Sequence, residues 1–173
     1  MLVSTVWLVG MMGAGKSAVG ALLAERLGCG FVDTDAEIER RARSTIAELF
    51  RREGEAAFRM RERETIESVA GDRVVVALGG GAIVQPGARE QLARTGTIVY
   101  LRARAETLWG RIGETADRPL LQGASGNDRL RRITELLAER APCYETAAIV
   151  VDTDALGPRE VADAIVSHLR GAR

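Results

Sequence analysis

Short apolar, β-branched runs alternate along the chain with longer stretches whose apolar positions recur every three or four residues. TVWLV at 5–9, FVD at 31–33, VVVAL at 74–78, TIVYL at 97–101 and AAIVV at 147–151 read as strands. The helix-length segments between them imply βαβ units and an α/β fold: a parallel sheet covered on both faces, with right-handed crossovers. End signals set the helices. The first runs from Lys16 to Leu27 and stops at Gly28, its N-terminus aimed back at a glycine-rich loop. Thr45 and Glu48 have capping-box spacing ahead of a short helix ending near Arg52, and a second helix spans Glu55 to Ala70 between Gly54 and Gly71. Pro86 and Pro158 each suit the first turn of a helix, where the missing N–H is not needed.

Two segments break the rhythm. Residues 34–71 are too long for a simple crossover and read as an inserted helical subdomain. Residues 113–126, GETADRPLLQGASG, form a glycine-bounded polar stretch of the kind that more often serves as a lid than as a passive connector. With no internal repeat and no low-complexity linker, residues 1–173 are expected to form a single domain.

Composition narrows the function. Hydrophobic residues make up 46% and charged residues 28%, as in ordinary globular chains, and 24 acidic residues balance 24 basic ones. A formal net charge of zero offers no basic field for nucleic acid or an anionic membrane. The opening MLVSTVWLVG lacks a basic leader and a cleavage pattern, so it reads as a buried strand, and no later run reaches the roughly 20 apolar residues of a membrane span. Cys29 and Cys143 are too far apart in sequence to suggest a disulfide framework or a metal-ligand spacing. A soluble, cytoplasmic protein is expected.

All the basic side chains but one are arginine, and the exception stands in GMMGAGKSAV, residues 10–19. Gly10, Gly15, Lys16 and Ser17 satisfy G-x-x-x-x-G-K-[ST] between a predicted strand and a predicted helix, the setting in which this pattern binds phosphate. The glycines let successive N–H groups face inward, and the helix N-terminus adds its dipole. A compact ammonium reaches across such a loop to the β- and γ-phosphates better than a planar guanidinium does. Ser17 then offers its hydroxyl to Mg²⁺.

Asp33 and Asp35 flank Thr34 at the end of the second strand. On an extended chain they would point to the same side about 6.6 Å apart. Asp33 then suits Mg²⁺ through water and Asp35 suits a base for a hydroxyl nucleophile; an Asp helix cap is the alternative use of Asp35. Gly79, Gly80 and Gly81 stand where P-loop enzymes often place a second acidic group. They serve either for close approach of backbone to a ligand or as a strand-to-helix turn. Most arginines read as solvated helix faces. Arg59 differs, because it shares a helical stripe with Ile66 and Ala70, with Met60 at the edge of the apolar arc, Glu62 one turn on to orient it, and Phe58 beside it as a wall. Arg118 in the lid segment and Arg140 ahead of Pro142 and Tyr144 could join Arg59 around a small anion. His168 and Cys143 read as surface and packing residues.

Taken together, GMMGAGKS, the DTD pair, FRMRE at 58–62, the glycine triplet, RPLL at 118–121 and R-x-P-x-Y at 140–144 resemble the shikimate kinases over essentially the whole chain. The resemblance implies a P-loop kinase fold, a five-stranded parallel sheet in the order 2-3-1-4-5, and transfer of the ATP γ-phosphate to the 3-hydroxyl of shikimate in aromatic amino acid biosynthesis. By position it implies Lys16, Asp35 and Arg118 as catalytic residues, with Ser17 and Asp33 on the Mg²⁺ side. Gly13, Ala14, Gly15, Lys16, Ser17, Ala18 and Arg118, with Arg111 and Pro158 on either face of the adenine, would hold the nucleotide. Asp35, Arg59, Gly80, Gly81, Arg118 and Arg140, with Phe50 and Phe58 against the ring, would hold shikimate. Ala18 stands where many members carry threonine, and DTDALGP at 152–158 has no arginine or aromatic residue beside the base. A monomer is expected. The alternatives are a kinase for gluconate, another small polyol acid or a nucleoside monophosphate, and a nucleotide-binding module without catalysis; the three arginines and the DTD pair favour a carboxylated polyol.

Overall fold

The strand Thr5–Val9 (β1) is buried at every residue, because it pairs on both sides. Val6, Trp7 and Leu8 lie beside Val75, Val76 and Ala77 of one neighbour and beside Thr97, Ile98 and Val99 of the other. Thr5, the one polar member, satisfies its buried hydroxyl by donating to the Asp72 carbonyl at 2.9 Å and accepting from the Gly71 N–H at 3.1 Å.

The computed structural model describes residues 4–112 and 126–171. The lid segment with Arg118 therefore lies outside the described residues, except for Gly126, which opens a helix. After β1 come α1 (Lys16–Leu27), β2 (Gly30–Asp33), α2 (Thr34–Ala42), α3 (Ile46–Val69) and β3 (Val74–Ala77). The chain continues through α4 (Ala88–Thr95), β4 (Gly96–Arg102), α5 (Ala105–Ile112), α6 (Gly126–Tyr144), β5 (Ile149–Asp152) and α7 (Pro158–Gly171). The strands form one parallel sheet in the order β2-β3-β1-β4-β5, as the resemblance implies.

That order positions the site. From β1 the chain crosses to β2 on one flank, whereas from β3 it passes over β1 to β4 on the other. Right-handed crossovers therefore send α1 and α4 to opposite faces, and the loops after β1 and β3 part to leave a crevice at the carboxyl ends of adjacent strands. On the α1 side, α7 packs against α1, and elsewhere α5 packs against α6. No helix among the described residues is long and apolar enough to cross a membrane.

Helix ends follow their signals closely. Gly28 caps α1 in the left-handed region (φ 60°), Thr45 and Glu48 make the reciprocal capping box of α3, and Pro158 opens α7. Three expectations are corrected. Pro86 does not start a helix, because Gly87 at φ 75° caps α4 and the helix begins at Ala88. The last strand spans Ile149–Asp152 and not 147–151, since the Thr146 and Ala147 N–H groups are committed to turn bonds with the Cys143 and Tyr144 carbonyls. Met60 is 57% exposed, off the buried stripe that Arg59 does share with Ile66.

Segment 34–69 carries a hydrophobic cluster of its own, Ile38, Leu49 and Phe58 with Ala42, Ile46 and Phe50, apart from the large core around the sheet. The two helices expected on either side of Gly54 are both present within the α3 span, separated by a kink where Gly54 leaves the helical region at φ 81°, ψ 174°. Only glycine occupies that region comfortably. Replacing Gly54 by alanine is expected to lower stability by about 1–3 kcal/mol. The measurement is the urea midpoint at unchanged slope; an unshifted midpoint would mean that the kink imposes no strain.

Candidate active site

A cavity of about 780 Å³ opens over the ends of β1 and β3, in the crevice that the topology leaves. Its floor is the loop from Gly10 to Gly15. Gly10, Gly13 and Gly15 have φ of 142°, 79° and 89°, and Gly15 caps α1 without a side-chain bond to the first turn, whose residues Lys16, Ser17 and Ala18 line the cavity. Lys16 folds back over this loop, its ammonium donating to the Gly10 and Met11 carbonyls at 2.8 and 3.0 Å. Ser17 Oγ donates to Asp33 Oδ2 at 2.5 Å. A hydroxyl and a carboxylate oxygen, both hard donors, thus stand side by side at the cavity edge. Among the described residues no group of three or more His, Cys, Asp or Glu side chains gathers to hold a metal ion.

Asp33 and Asp35 do not share an extended strand as expected. β2 ends at Asp33, whose Oδ1 caps α2 by accepting from the Asp35 and Ala36 N–H groups at 3.1 and 3.2 Å, so the cap is Asp33 and Asp35 lies in the helix's first turn. Both carboxylates still line the cavity. The reason for threonine between them is visible in the bonds. Thr34 is fully buried, its hydroxyl donating to the Ala77 carbonyl at 3.2 Å and accepting from the Gly79 N–H at 3.1 Å, which ties the Asp pair to the glycine triplet.

The triplet itself explains how the charges meet. A Cβ on Gly79 would lie 2.6 Å from Glu62 Oε1 and 2.9 Å from Asp35 Oδ1. One on Gly81 would lie 2.6 Å from Arg59 Nη2, and one on Gly80 would lie 3.3 Å from Arg140 Nη1. Side chains at 79 and 81 would therefore displace the charged groups. Arg59 donates to Glu62 at 2.8 Å and to Glu55 at 3.1 Å. Burial pushes the Glu62 carboxyl above its usual range and Asp35 adds to the push, against the opposing pull of Arg59 and Arg140. At Glu62, only 2% exposed, burial wins; at Arg59, 18% exposed and held by two carboxylates, pairing overcomes burial and raises the guanidinium further. Phe50 and Phe58, ring centroids 4.9 Å apart, line the adjoining wall.

At the far end, Arg111 from α5 also lines the cavity and is tied to the loop after β5, donating to the hydroxyl (2.9 Å) and the carbonyl of Thr153. Pro158 is exposed at the end of that loop and Ala14 is buried beneath the glycine turn; neither lines the cavity. The structure thus gathers Gly13, Gly15, Lys16, Ser17, Ala18, Asp33, Asp35, Phe50, Phe58, Arg59, Gly80, Gly81, Arg111 and Arg140 around one space. Sequence reasoning passed over Met12, Glu39 and Ile46, which share that lining. Glu39 stands one helical turn beyond Asp35, a spacing that marks the same face. His168 is exposed on α7, as expected.

The family model described as shikimate kinase matches residues 12–170. A shikimate kinase of Symbiobacterium thermophilum is 48% identical over 172 residues, covering 96% of this chain and 97% of its own. One from Chlorobium chlorochromatii is 46% identical over 158 residues, 88% of this chain and 83% of its own. Among solved structures, the shikimate kinase of Acinetobacter baumannii in complex with shikimate superimposes with a TM-score of 0.91 at 38% identity, covering 99% of this chain and 95% of that one.

The raised Glu62 carboxyl has a sign that can be measured. Below the ordinary carboxyl range both folded and unfolded chains hold the proton. Above it the unfolded chain releases the proton first, so stability falls with rising pH until the raised folded value is passed. Glu62→Gln is expected to remove that fall, so that unfolding free energies of variant and wild type, taken between about pH 4 and pH 7, diverge in the variant's favour. A constant difference would mean that the Arg59 pair outweighs burial.

Proposed function

The chain belongs to the shikimate kinase family, and on that premise we propose which of its residues carry out the ATP-dependent phosphorylation of shikimate. The observation that carries the assignment is the meeting of Arg59, Arg140 and Asp35 over Gly79–Gly81, in the same cavity as the Lys16 loop. A donor's phosphates and a small acid with neighbouring hydroxyls need just such a division of one space.

In this reading the amides of Gly13, Ala14, Gly15, Ser17 and Ala18 cradle the phosphate chain, and Lys16 exchanges its loop carbonyls for β- and γ-phosphate oxygens. Arg111, with Pro158 across the base, holds the adenine end. Arg59 and Arg140 grip the shikimate carboxylate, Gly80 and Gly81 let the ring lie close to the backbone, and Phe50 and Phe58 cover its apolar edge. Asp35 holds the ring hydroxyls and accepts the proton of the attacking 3-hydroxyl. Residues 34–71 serve as the substrate-binding helical insertion of a single domain. The family's lid arginine falls on Arg118, beyond the described residues, where it would bridge phosphate and substrate.

Ser17 and Asp33 fit Mg²⁺, since an adjacent hydroxyl and carboxylate supply the few hard oxygen ligands that this ion takes from protein when phosphates and water provide the rest. Mg²⁺ bound there would neutralise charge on the β- and γ-phosphates. With positioning and charge neutralisation supplied, phosphoryl transfer asks little basicity of Asp35. The resemblance also supports a monomer acting in the cytoplasm.

A coupled ADP-release assay is expected to show turnover with shikimate and none with gluconate or AMP; activity with AMP alone would overturn the substrate assignment. Because Lys16 is the chain's one lysine, amine acylation should modify only that side chain and the α-amino group. MgATP should protect Lys16, as read by mass spectrometry, and labelling at an undiminished rate would place its ammonium away from the phosphates.

A further inference from the structure

The proposed roles leave Tyr144 unused, although its hydroxyl ends on Gly80, which lines the cavity. Tyr144 closes α6, is fully buried, and donates its hydroxyl proton to the Gly80 carbonyl at 2.5 Å. Its ring stacks on Tyr100 of β4, centroids 5.0 Å apart, so the hydroxyl is aimed by a fixed plane. Arg140 lies one turn earlier on the same helix, and its guanidinium and the Tyr144 hydroxyl approach the same bare Cα, 3.3 and 3.5 Å from where a Gly80 side chain would begin.

We propose that Tyr144 is a positioning residue: by pinning the Gly80 carbonyl it fixes the direction of the Gly81 N–H and the spacing between the glycine turn and Arg140, and so tunes affinity for shikimate without touching it. The reason lies in the peptide unit. The Gly80 carbonyl and the Gly81 N–H belong to one planar trans group, so holding the oxygen holds the N–H pointing the opposite way. Between two glycines no side chain resists rotation of that plane. The neighbouring bonds, Gly79 N–H to Thr34 and Ala82 N–H to the Gly79 carbonyl, secure Gly79 and leave the next peptide to Tyr144. A residue that only filled the core would need no hydroxyl. Burial also pushes the Tyr144 phenol up to about 12, against the opposing influence of Arg140, so the donor keeps its proton at neutral pH.

The inference rests on the substrate reading above, and its test separates the two. Tyr144→Phe removes the hydroxyl and keeps the ring. The variant is expected to raise the KM for shikimate about tenfold and leave the KM for ATP within about twofold. By NMR, amide exchange at Gly81 should quicken about tenfold while Val75 and Val76 in the sheet keep their wild-type rates. Tyr100→Phe, which keeps the stacked ring and the Gly80 bond, should preserve both constants. Equal changes in the two KM values, an unaltered Gly81 rate, or a rise at Val75 and Val76 together with Gly81 would each overturn the proposal and leave Tyr144 as packing. Wild-type enzyme that fails to phosphorylate shikimate would refute the substrate reading instead, and the exchange measurement, which needs no substrate, would still decide the role of Tyr144.

Discussion

Two guanidinium groups and two carboxylates can crowd one wall only if nothing solid stands between them. Arg59, paired with Glu62 at 2.8 Å, Arg140 and Asp35 do so because the chain turning between β3 and α4 has no side chains at Gly79, Gly80 and Gly81. A Cβ at Gly79 or Gly81 would strike a carboxylate or a guanidinium at 2.6 Å. The charges do not merely border the turn; they occupy the volume that ordinary residues would have taken. Thr34 fixes the turn from the start of α2 and Tyr144 from α6, so three elements that are distant in sequence agree on one arrangement.

Sheet order supplies the place for that arrangement. β1 and β3 are neighbours whose chains leave toward opposite faces, and the gap between their exits is where backbone N–H groups on one side confront paired charges on the other. In the proposed reading the phosphate side is main chain plus one ammonium and the acceptor side is side chains over bare main chain, so donor and acceptor would be recognised by different kinds of matter within one cavity.

Much of this was legible in the chain. Buried parallel strands announce themselves by β-branched runs, Gly28 and the Thr45–Glu48 box mark helix ends by local chemistry alone, and the loop around Lys16 combines pattern with flanking elements. Errors arose where neighbouring residues competed for one local role. Asp33 rather than Asp35 caps α2, its Oδ1 accepting from the Asp35 and Ala36 N–H groups. Gly87 with its positive φ starts α4 in place of Pro86. For Arg59 the helical period was informative, as it places the residue on a buried stripe, yet that period also drew Met60 toward a face it does not occupy. The bonds of Thr34 and Tyr144 join residues 45 and 64 positions apart, and no local pattern encodes such separations.

The hydrophobic cluster of Ile38, Leu49 and Phe58 stands apart from the core that surrounds the sheet. Its consequence is evolutionary latitude. Phe50 and Phe58, which the proposed function sets against the acceptor, belong to that small cluster, so substitutions there would leave the packing of the strands undisturbed. A lineage built on this plan could change what receives the phosphoryl group without relearning how to hold the group that gives it.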